Sequence, residues 1–210
     1  MTSEHLFIEG PAGRIECIVD APLSPRGIAL VAHPHPKGGG ANTNKVTHTL
    51  ARTLATLGYS AWRPNFRGVG ESEGQYDEGR GEVDDLIATL AAARQRHGEL
   101  PVVLAGFSFG AYCQTQVARR LADAGAPVER LVLVGTAAGH VEGLRHYDTQ
   151  AVPPDTIVIH GAEDETVPLA NVFAWALPLD LPVVVIPGAD HFFHRRLHLI
   201  RDIVTRAWSR

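Results

Sequence analysis

Apolar residues recur along the chain in two alternating patterns, which predict strands and helices in turn. Residues 27–32 form a continuous apolar run, typical of a strand buried on both faces. Residues 42–57 carry apolar side chains at helical spacing up to Gly58, which predicts a helix capped at Asn42. By the same reasoning the further predicted strands are 59–64, 100–104, 130–134, 156–159 and 182–186, and the further helices are 82–96, 111–121, 169–177 and 193–208.

The order of these elements predicts the fold class. Residues 5–9 and 14–20 alternate in polarity and suit an antiparallel hairpin at a sheet edge. After this hairpin, strands and helices alternate, which implies right-handed crossovers between parallel strands. We therefore expect a single α/β domain over residues 1–210, a three-layer sandwich with a mostly parallel twisted sheet of about eight strands flanked by helices. Its chemistry belongs at the carboxyl ends of the strands.

Residues 135–155 form the longest segment without a clear pattern, and they join two predicted strands. A long loop at the catalytic edge of such a sheet is often a minimal lid or a substrate-binding loop. The alternative is a solvent-exposed loop with one short helix. The sequence leaves both interpretations open.

Composition removes several classes of function. The net charge of −4 and the lack of a Lys/Arg run argue against a nucleic-acid partner. Two cysteines offer no disulfide framework, which favours a reducing, cytoplasmic location. The sequence has no signal-peptide pattern and no apolar stretch long enough to predict a membrane span. The eleven histidines show no metal-ligand spacing, so neither a metal nor another cofactor is expected, and no pattern indicates an oligomeric state.

The strongest chemical signal is a Gly-x-Ser-x-Gly motif formed by Gly106, Ser108 and Gly110. It lies between a predicted strand and a predicted helix. A tight turn at such a place exposes the serine and leaves no room for side chains at the glycines. We predict that Ser108 is a nucleophile; the alternative is an ordinary turn serine.

A serine nucleophile needs a base and an acid that orients the base. The loop after residues 156–159 contains Asp164, and the loop after residues 182–186 contains His191. Each of the three side chains therefore follows a predicted strand, in the chain order serine, aspartate, histidine. At the carboxyl edge of a parallel sheet these loops come together.

Three motifs occur in that order: the 106–110 elbow, His160-Gly-x-x-Asp164-x-x-Val-Pro168, and Gly188-Ala-Asp-His-Phe192. Together with segments 33–36 and 65–72, they make nearly the whole chain resemble the α/β-hydrolase superfamily. Within it, the sequence looks like the small, nearly capless bacterial serine hydrolases. The resemblance implies that Ser108 is the nucleophile, Asp164 the acid and His191 the general base.

Neighbouring carboxylates offer alternatives for the acid. Glu163 and Glu165 flank Asp164, but the motif position favours Asp164. Asp190 directly precedes His191 and would pair with it locally, although adjacent residues seldom orient an imidazole well. Asp164 is therefore the predicted acid, with Asp190 as a minor rival.

Two further histidines lie close to the motifs. His194 falls at the predicted start of the last helix, where an exposed, non-catalytic position is the simpler interpretation. His160 closes a predicted strand, which suits a structural hydrogen bond better than catalysis. His191 holds the motif position and is the predicted base.

The tetrahedral intermediate of acyl transfer needs two backbone N–H donors, the oxyanion hole. Phe109, directly after the nucleophile, is expected to supply one. The loop after residues 27–32 is expected to supply the other. Prolines on both sides of His35 have no N–H, so the His35 amide is the predicted second donor. A contact between the His35 ring and substrate is the lesser alternative.

Four side chains are candidates for contacts with substrate: Phe107, Phe192, Arg67 and Lys37. The two phenylalanines flank the predicted catalytic residues and would line an apolar pocket, unless they belong to the core. In the superfamily an arginine at the Arg67 position usually braces loops. A basic patch at the mouth requires that Lys37, Arg67 and Arg145 converge.

These features predict a carboxylesterase-like serine hydrolase that cleaves a small-molecule ester or acyl substrate through an acyl-Ser108 intermediate. Peptidase or acyl-CoA thioesterase activity would use the same groups, and a lyase is a smaller possibility. The alternative from another class is a non-catalytic binding protein with the hydrolase fold. Such proteins typically lack a triad member or an oxyanion donor, and this sequence lacks neither.

Overall fold

The computed structural model describes residues 1–143 and 145–208. Its main sheet has eight strands, in the order β1-β2-β4-β3-β5-β6-β9-β10, and a separate pair is formed by β7 and β8. The strands are β1 (Thr2–Gly10), β2 (Gly13–Ala21), β3 (Gly27–Ala32), β4 (Tyr59–Pro64), β5 (Val102–Phe107), β6 (Arg130–Val134), β7 (Gly139–His140), β8 (His146–Tyr147), β9 (Ile157–Gly161) and β10 (Val183–Ile186).

The strand pairing confirms the predicted fold class. β1 pairs antiparallel with β2, and β2 antiparallel with β4, whereas every other neighbouring pair in the main sheet is parallel. The central strands β3, β4 and β5 are buried along their full length, as expected for strands covered on both faces. The α-helices are α1 (Lys45–Thr56), α2 (Arg80–His97), α3 (Phe109–Asp123), α4 (Leu169–Ala176) and α5 (Leu197–Trp208).

Helices cover both faces of the sheet and divide the core in two. One core cluster contains Leu50 of α1 and Val204 of α5 together with inward side chains of the central strands. The other contains Leu86 of α2, Val117 of α3 and Val172 of α4. The parallel strands thus end between two helical layers, and their carboxyl ends are held at one edge of a rigid sheet.

Four predicted helix starts differ from the structure. Helices α2 and α3 each begin two residues before the predicted position, and the starts of α1 and α5 need correction for a structural reason. Helix α1 is capped by Asn44 rather than Asn42, because the Asn44 side chain accepts the amide protons of the first turn. Helix α5 begins at Leu197 rather than at residue 193. Phe193 and Arg195 have φ values of 53° and 61°, which a right-handed helix excludes, so the chain after His191 forms a turn.

The segment 135–155 contains the β7–β8 hairpin, and its residue Leu144 lies outside the described residues. Tyr147 of β8 is buried, with its ring 5.1 Å from that of Tyr112. The hairpin therefore packs on α3 in this structure, and a lid or substrate-loop function stays a prediction. Among the described residues, no helix combines the length and the apolar character that crossing a bilayer requires.

Candidate active site

Ser108 lies at the sharp turn between β5 and α3. Its φ of 56° is in the left-handed region, which costs a non-glycine residue of order 1–3 kcal/mol. A Cβ added to Gly106 would lie 2.6 Å from the Ala111 nitrogen, and one added to Gly110 would lie 2.5 Å from the Ala32 carbonyl oxygen. The two glycines therefore allow β3, β5 and α3 to approach closely enough to hold this turn.

Ser108, His191 and Asp164 form one continuous chain of hydrogen bonds. Ser108 Oγ lies 3.0 Å from His191 Nε2, and His191 Nδ1 lies 2.7 Å from Asp164 Oδ2. An ionised carboxylate only accepts, so Nδ1 carries the proton and Nε2 is left to accept from the serine hydroxyl. All three residues are buried, and Ser108 is only 6% exposed. The arrangement can withdraw the Ser108 proton as its oxygen attacks.

Asp164 is held from its other side by its own loop. Its Oδ1 accepts from the amides of Thr166 and Val167 at 3.0 and 2.7 Å. These bonds fix the carboxylate plane and direct Oδ2 at the imidazole. Glu163 and Glu165, the neighbouring carboxylates, are exposed and do not bond to this imidazole.

Asp190 does not orient the base either. Its carboxylate accepts from the His194 amide at 3.0 Å and contacts the His194 ring nitrogen Nδ1. This pair is exposed and closes the turn after His191. His194 thus lies in a turn rather than at the start of α5.

His160 lies beneath the acid. Its Nε2 donates to the Val167 carbonyl at 3.0 Å and lies 3.3 Å from Asp164 Oδ2. Burial lowers the pKa of His160, which keeps the ring neutral. This Nε2–H thus makes a structural hydrogen bond to Val167. It also lies beside the Asp164 carboxylate oxygen that accepts from His191.

The two predicted oxyanion donors lie at neighbouring loops. The His35 and Phe109 rings have centroids 5.0 Å apart, so the loop after β3 packs on the start of α3. Among the residues that the structure describes, neither the His35 amide nor the Phe109 amide has a hydrogen-bond partner. Phe109 is the first residue of α3, where helix geometry leaves the N–H free. Both amides are available to an oxyanion.

His33 holds the loop that carries the His35 amide, a function that sequence reasoning missed. Its Nδ1 donates to the Pro34 carbonyl at 2.7 Å, and its Nε2 accepts from the Phe66 amide at 2.9 Å. Burial lowers the pKa of His33 to about 4, so the ring is neutral near pH 7. Since one nitrogen must donate and the other must accept, only one tautomer satisfies both bonds.

The His35 ring is also fixed in one tautomer. Its Nδ1 accepts from the Lys37 amide at 3.2 Å, so Nε2 carries the proton toward the Tyr76 hydroxyl at 3.1 Å. Burial, followed by the charges of Arg145 and Lys37, lowers the pKa of His35. The tyrosine gives this ring a partner that the sequence did not predict.

The structure places the residues predicted to contact substrate in different environments. Phe107 has no exposed surface and packs against the His191 ring at 4.9 Å, so it belongs to the core, the alternative that the sequence left open. Arg67 makes a two-bond ion pair with Asp85 at 2.8 Å, which braces the loop after β4. Lys37 is exposed, with its ammonium 4.8 Å from the Tyr76 ring.

Phe192 remains exposed, with 48% of its surface accessible, and its ring centroid lies 5.2 Å from that of His191. It forms one wall of a cavity of about 540 Å³. Residues from the loop before α1 and its first turn, and from the turn after His191 up to the start of α5, line this cavity: Gly39, Ala41, Thr43, Asn44, Lys45, Val46, Phe192, Phe193, His194, Arg195 and Leu197. The cavity lies beside the hydrogen-bonded triad rather than over Ser108 itself.

Comparisons with known proteins show which proteins this chain is similar to. A family model described as serine aminopeptidase, S33, matches residues 24–147. A Rickettsia prowazekii protein, RP471, whose own function is uncharacterized, is 33% identical over 201 residues, spanning 90% of this chain and 82% of that one. The structure of an alpha-beta serine hydrolase homologue from Coxiella burnetii is 38% identical and superposes with a TM-score of 0.86 over 98% of this chain and 97% of that one.

A second solved structure, XC6422 from Xanthomonas campestris, is described as an α/β serine hydrolase without a lid. It is 34% identical to this chain, with a TM-score of 0.85 over 99% of this chain and 94% of that one. The sheet order, the turn at Ser108 and the lack of a large insertion after β6 agree with that likeness. The chain therefore belongs to the serine aminopeptidase S33 family of α/β hydrolases, among the small serine hydrolases of the lid-free type.

Proposed function

We propose that the protein hydrolyses a carboxylic ester through an acyl-Ser108 intermediate. The observation that carries this proposal is the chain of hydrogen bonds from Ser108 Oγ through His191 to Asp164. Two unpaired backbone amides beside the serine support it further. Together they supply a nucleophile, a base and a site for developing negative charge.

In the first half-reaction, Ser108 Oγ forms a bond to the ester carbonyl carbon while His191 Nε2 takes the hydroxyl proton. The carbonyl oxygen becomes an oxyanion and accepts hydrogen bonds from the His35 and Phe109 amides. As the intermediate collapses, the bond to the alkoxy oxygen breaks. His191 gives its proton to that oxygen, and the alcohol leaves.

In the second half-reaction, water attacks the acyl-enzyme and loses its proton to His191 Nε2. The second tetrahedral intermediate uses the same two amides. Its collapse breaks the bond to Ser108 Oγ, which recovers the proton from His191 and releases the acid. Asp164 keeps the imidazole in the required tautomer and stabilises the imidazolium in both halves.

The family description names an aminopeptidase, so a peptide substrate is the second candidate. An aminopeptidase has to recognise a free α-amino group, which calls for carboxylates near the scissile bond. The two carboxylates closest to the imidazole already have partners: Asp164 bonds to His191, and Asp190 bonds to His194. This disfavours an amino terminus and favours an ester, or a thioester, whose cleavage uses the same steps.

Labelling with a fluorophosphonate probe tests the proposal, because such probes react only with an activated serine. We expect rapid labelling of the purified protein and none of the Ser108→Ala variant. Before labelling, the wild type should turn over p-nitrophenyl esters, and this activity should be absent after labelling and in the variant. A well-folded wild type that is neither labelled nor active would favour the non-catalytic binding protein. Label retained by the variant would assign the nucleophile to another serine.

A further inference from the structure

The cavity beside His191 combines an apolar floor with a basic rim. Val46 and Phe193 line it and are buried, and Phe192 presents an exposed ring. Lys45 and Arg195 are the two permanently charged residues among those that line it. This combination of surfaces suits a molecule with an apolar body and a negative end.

The two cations are uncommitted. Among the residues that the structure describes, neither Lys45 nor Arg195 has an ion-pair partner or a side-chain hydrogen bond. The nearest carboxylate in sequence, Asp190, already bonds to the ring and the amide of His194. Both positive charges are therefore free to pair with a ligand.

The stability of the fold does not account for either charge. Lys45 is the first residue of α1, where the helix dipole favours an acidic side chain and disfavours a cation. Arg195 has a φ of 61°, a conformation in which glycine or asparagine would be less strained. Residues that go against local preference at the mouth of a cavity are better explained by what the cavity binds.

The position of the cavity relates it to the leaving group. His191 Nε2 has to protonate the alkoxy oxygen, so the alcohol part of the ester must leave on the His191 side of the scissile bond. The Phe192 ring connects the two, because it lines the cavity and its centroid is 5.2 Å from that of the imidazole. An alcohol part of moderate length would cross this ring and reach the cations.

We propose that this cavity binds the alcohol part of an ester whose far end carries a carboxylate or a phosphate, with Lys45 and Arg195 as the anion-binding residues. The inference rests on the proposed ester hydrolysis and adds a substrate class to it. The Phe192 face packs against the apolar body of the alcohol, and the two cations select its charged end.

Matched aryl esters test the proposal. Phenyl butanoate, 4-carboxyphenyl butanoate and 4-phosphonophenyl butanoate share one acyl group and differ at the far end of the alcohol. We expect kcat/KM at low ionic strength to be about tenfold higher for one or both anionic esters, the size expected of two exposed ion pairs. The anion preferred tells carboxylate from phosphate, and added salt should remove the preference.

The variant Lys45→Gln/Arg195→Gln should lose the preference, so that its kcat/KM for the anionic esters falls about tenfold relative to its kcat/KM for phenyl butanoate. The matched control Arg206→Gln removes an exposed cation of α5 that does not line the cavity, and should keep the preference. Equal rates on the neutral and anionic esters, or a preference that survives the double substitution, would overturn the proposal. The proposal would also be overturned if the enzyme preferred anionic substrates only when the carboxylate lies on the acyl chain of a p-nitrophenyl ester.

A binding measurement separates this inference from the proposed hydrolysis. Calorimetry on the Ser108→Ala variant compares 4-hydroxybenzoate, the anionic alcohol, with neutral 4-hydroxybenzamide. We expect about tenfold tighter binding of the anion, lost when Lys45 and Arg195 are also replaced. Equal affinities would overturn the inference even in an active esterase, and an anion preference would support it even if esters were not cleaved.

Discussion

The His33 ring joins the ends of two neighbouring strands by accepting the Phe66 amide proton at 2.9 Å. Its other nitrogen donates to the Pro34 carbonyl at 2.7 Å. In a trans peptide the carbonyl and the following N–H point in opposite directions, so the bond to Pro34 also sets the direction of the His35 amide. His33 is therefore a positioning residue for the proposed oxyanion hole.

Replacing His33 by leucine should reduce kcat roughly 10- to 100-fold with little change in KM. Loss of a whole oxyanion donor costs roughly 10²- to 10³-fold, and a misdirected donor costs less. The measurement is steady-state kinetics on a p-nitrophenyl ester. His97→Leu is the control, because His97 bonds to Ser60 at the start of β4, away from the carboxyl edge. Equal losses in both variants would indicate a general effect of removing a hydrogen-bonded histidine.

Protonation of the His33 ring should make the free energy of unfolding depend on pH. The unfolded chain protonates this imidazole near 6.5, but the folded chain does so only near 4, so between these values the unfolded state binds more protons. Stability is therefore fully present above pH 6.5 and falls as the pH drops toward 4. The loss attributable to His33 is about 3 kcal/mol.

Denaturant unfolding of the wild type and of His33→Asn at both ends of that window measures this loss. The wild type should lose about 3 kcal/mol more than the variant on acidification, since asparagine does not titrate. Parallel curves for the two proteins would mean that the ring is protonated in the folded state, contrary to its hydrogen bonds.

The choice of acid can be tested among four carboxylates. Asp164→Asn should lower kcat roughly 10³- to 10⁴-fold, because an amide would favour the wrong imidazole tautomer. Glu163→Gln, Glu165→Gln and Asp190→Asn remove the same charge from neighbouring positions and should leave kcat within about twofold. A large loss in Asp190→Asn with an active Asp164→Asn variant would transfer the assignment to Asp190.

The close approach of α3 to β3 makes Gly110 intolerant of a side chain. A Cβ there would lie 2.5 Å from the Ala32 carbonyl oxygen, and backbone on both sides would have to move. We expect Gly110→Ala to lower the free energy of unfolding by about 2–4 kcal/mol. Gly38→Ala is the control, because a Cβ at Gly38 meets no atom within 4 Å. Similar unfolding energies for the two variants would contradict this packing.

The strands were predictable where burial alone determines them. Residues 27–32, 59–64 and 130–134 form β3, β4 and β6 with the predicted bounds. The start of α5 was not predictable from apolar spacing, because Phe193 and His194 fit a helical pattern. The Asp190–His194 contacts and two left-handed residues instead stabilise a turn there.

The proximity of Ser108, Asp164 and His191 was predictable, because each belongs to a local motif at a strand end. The hydrogen bonds that hold the surrounding loops were not predictable, because they depend on partners far away in the chain. His33 is 33 positions from Phe66, and His35 is 41 positions from Tyr76. The cavity cations likewise come from distant parts of the chain, the start of α1 and the turn after His191, and only folding brings Lys45 and Arg195 to the same cavity.

Trapping the acyl-enzyme tests the central claim most directly. The protein is mixed with excess p-nitrophenyl acetate and quenched in acid within the first turnovers, and its peptides are then identified by mass spectrometry. We predict a gain of one acetyl group on the peptide that contains Ser108, together with a burst of nitrophenolate equal to the enzyme concentration. Steady ester turnover with no acyl group on Ser108, or an acyl group on another residue, would contradict the account.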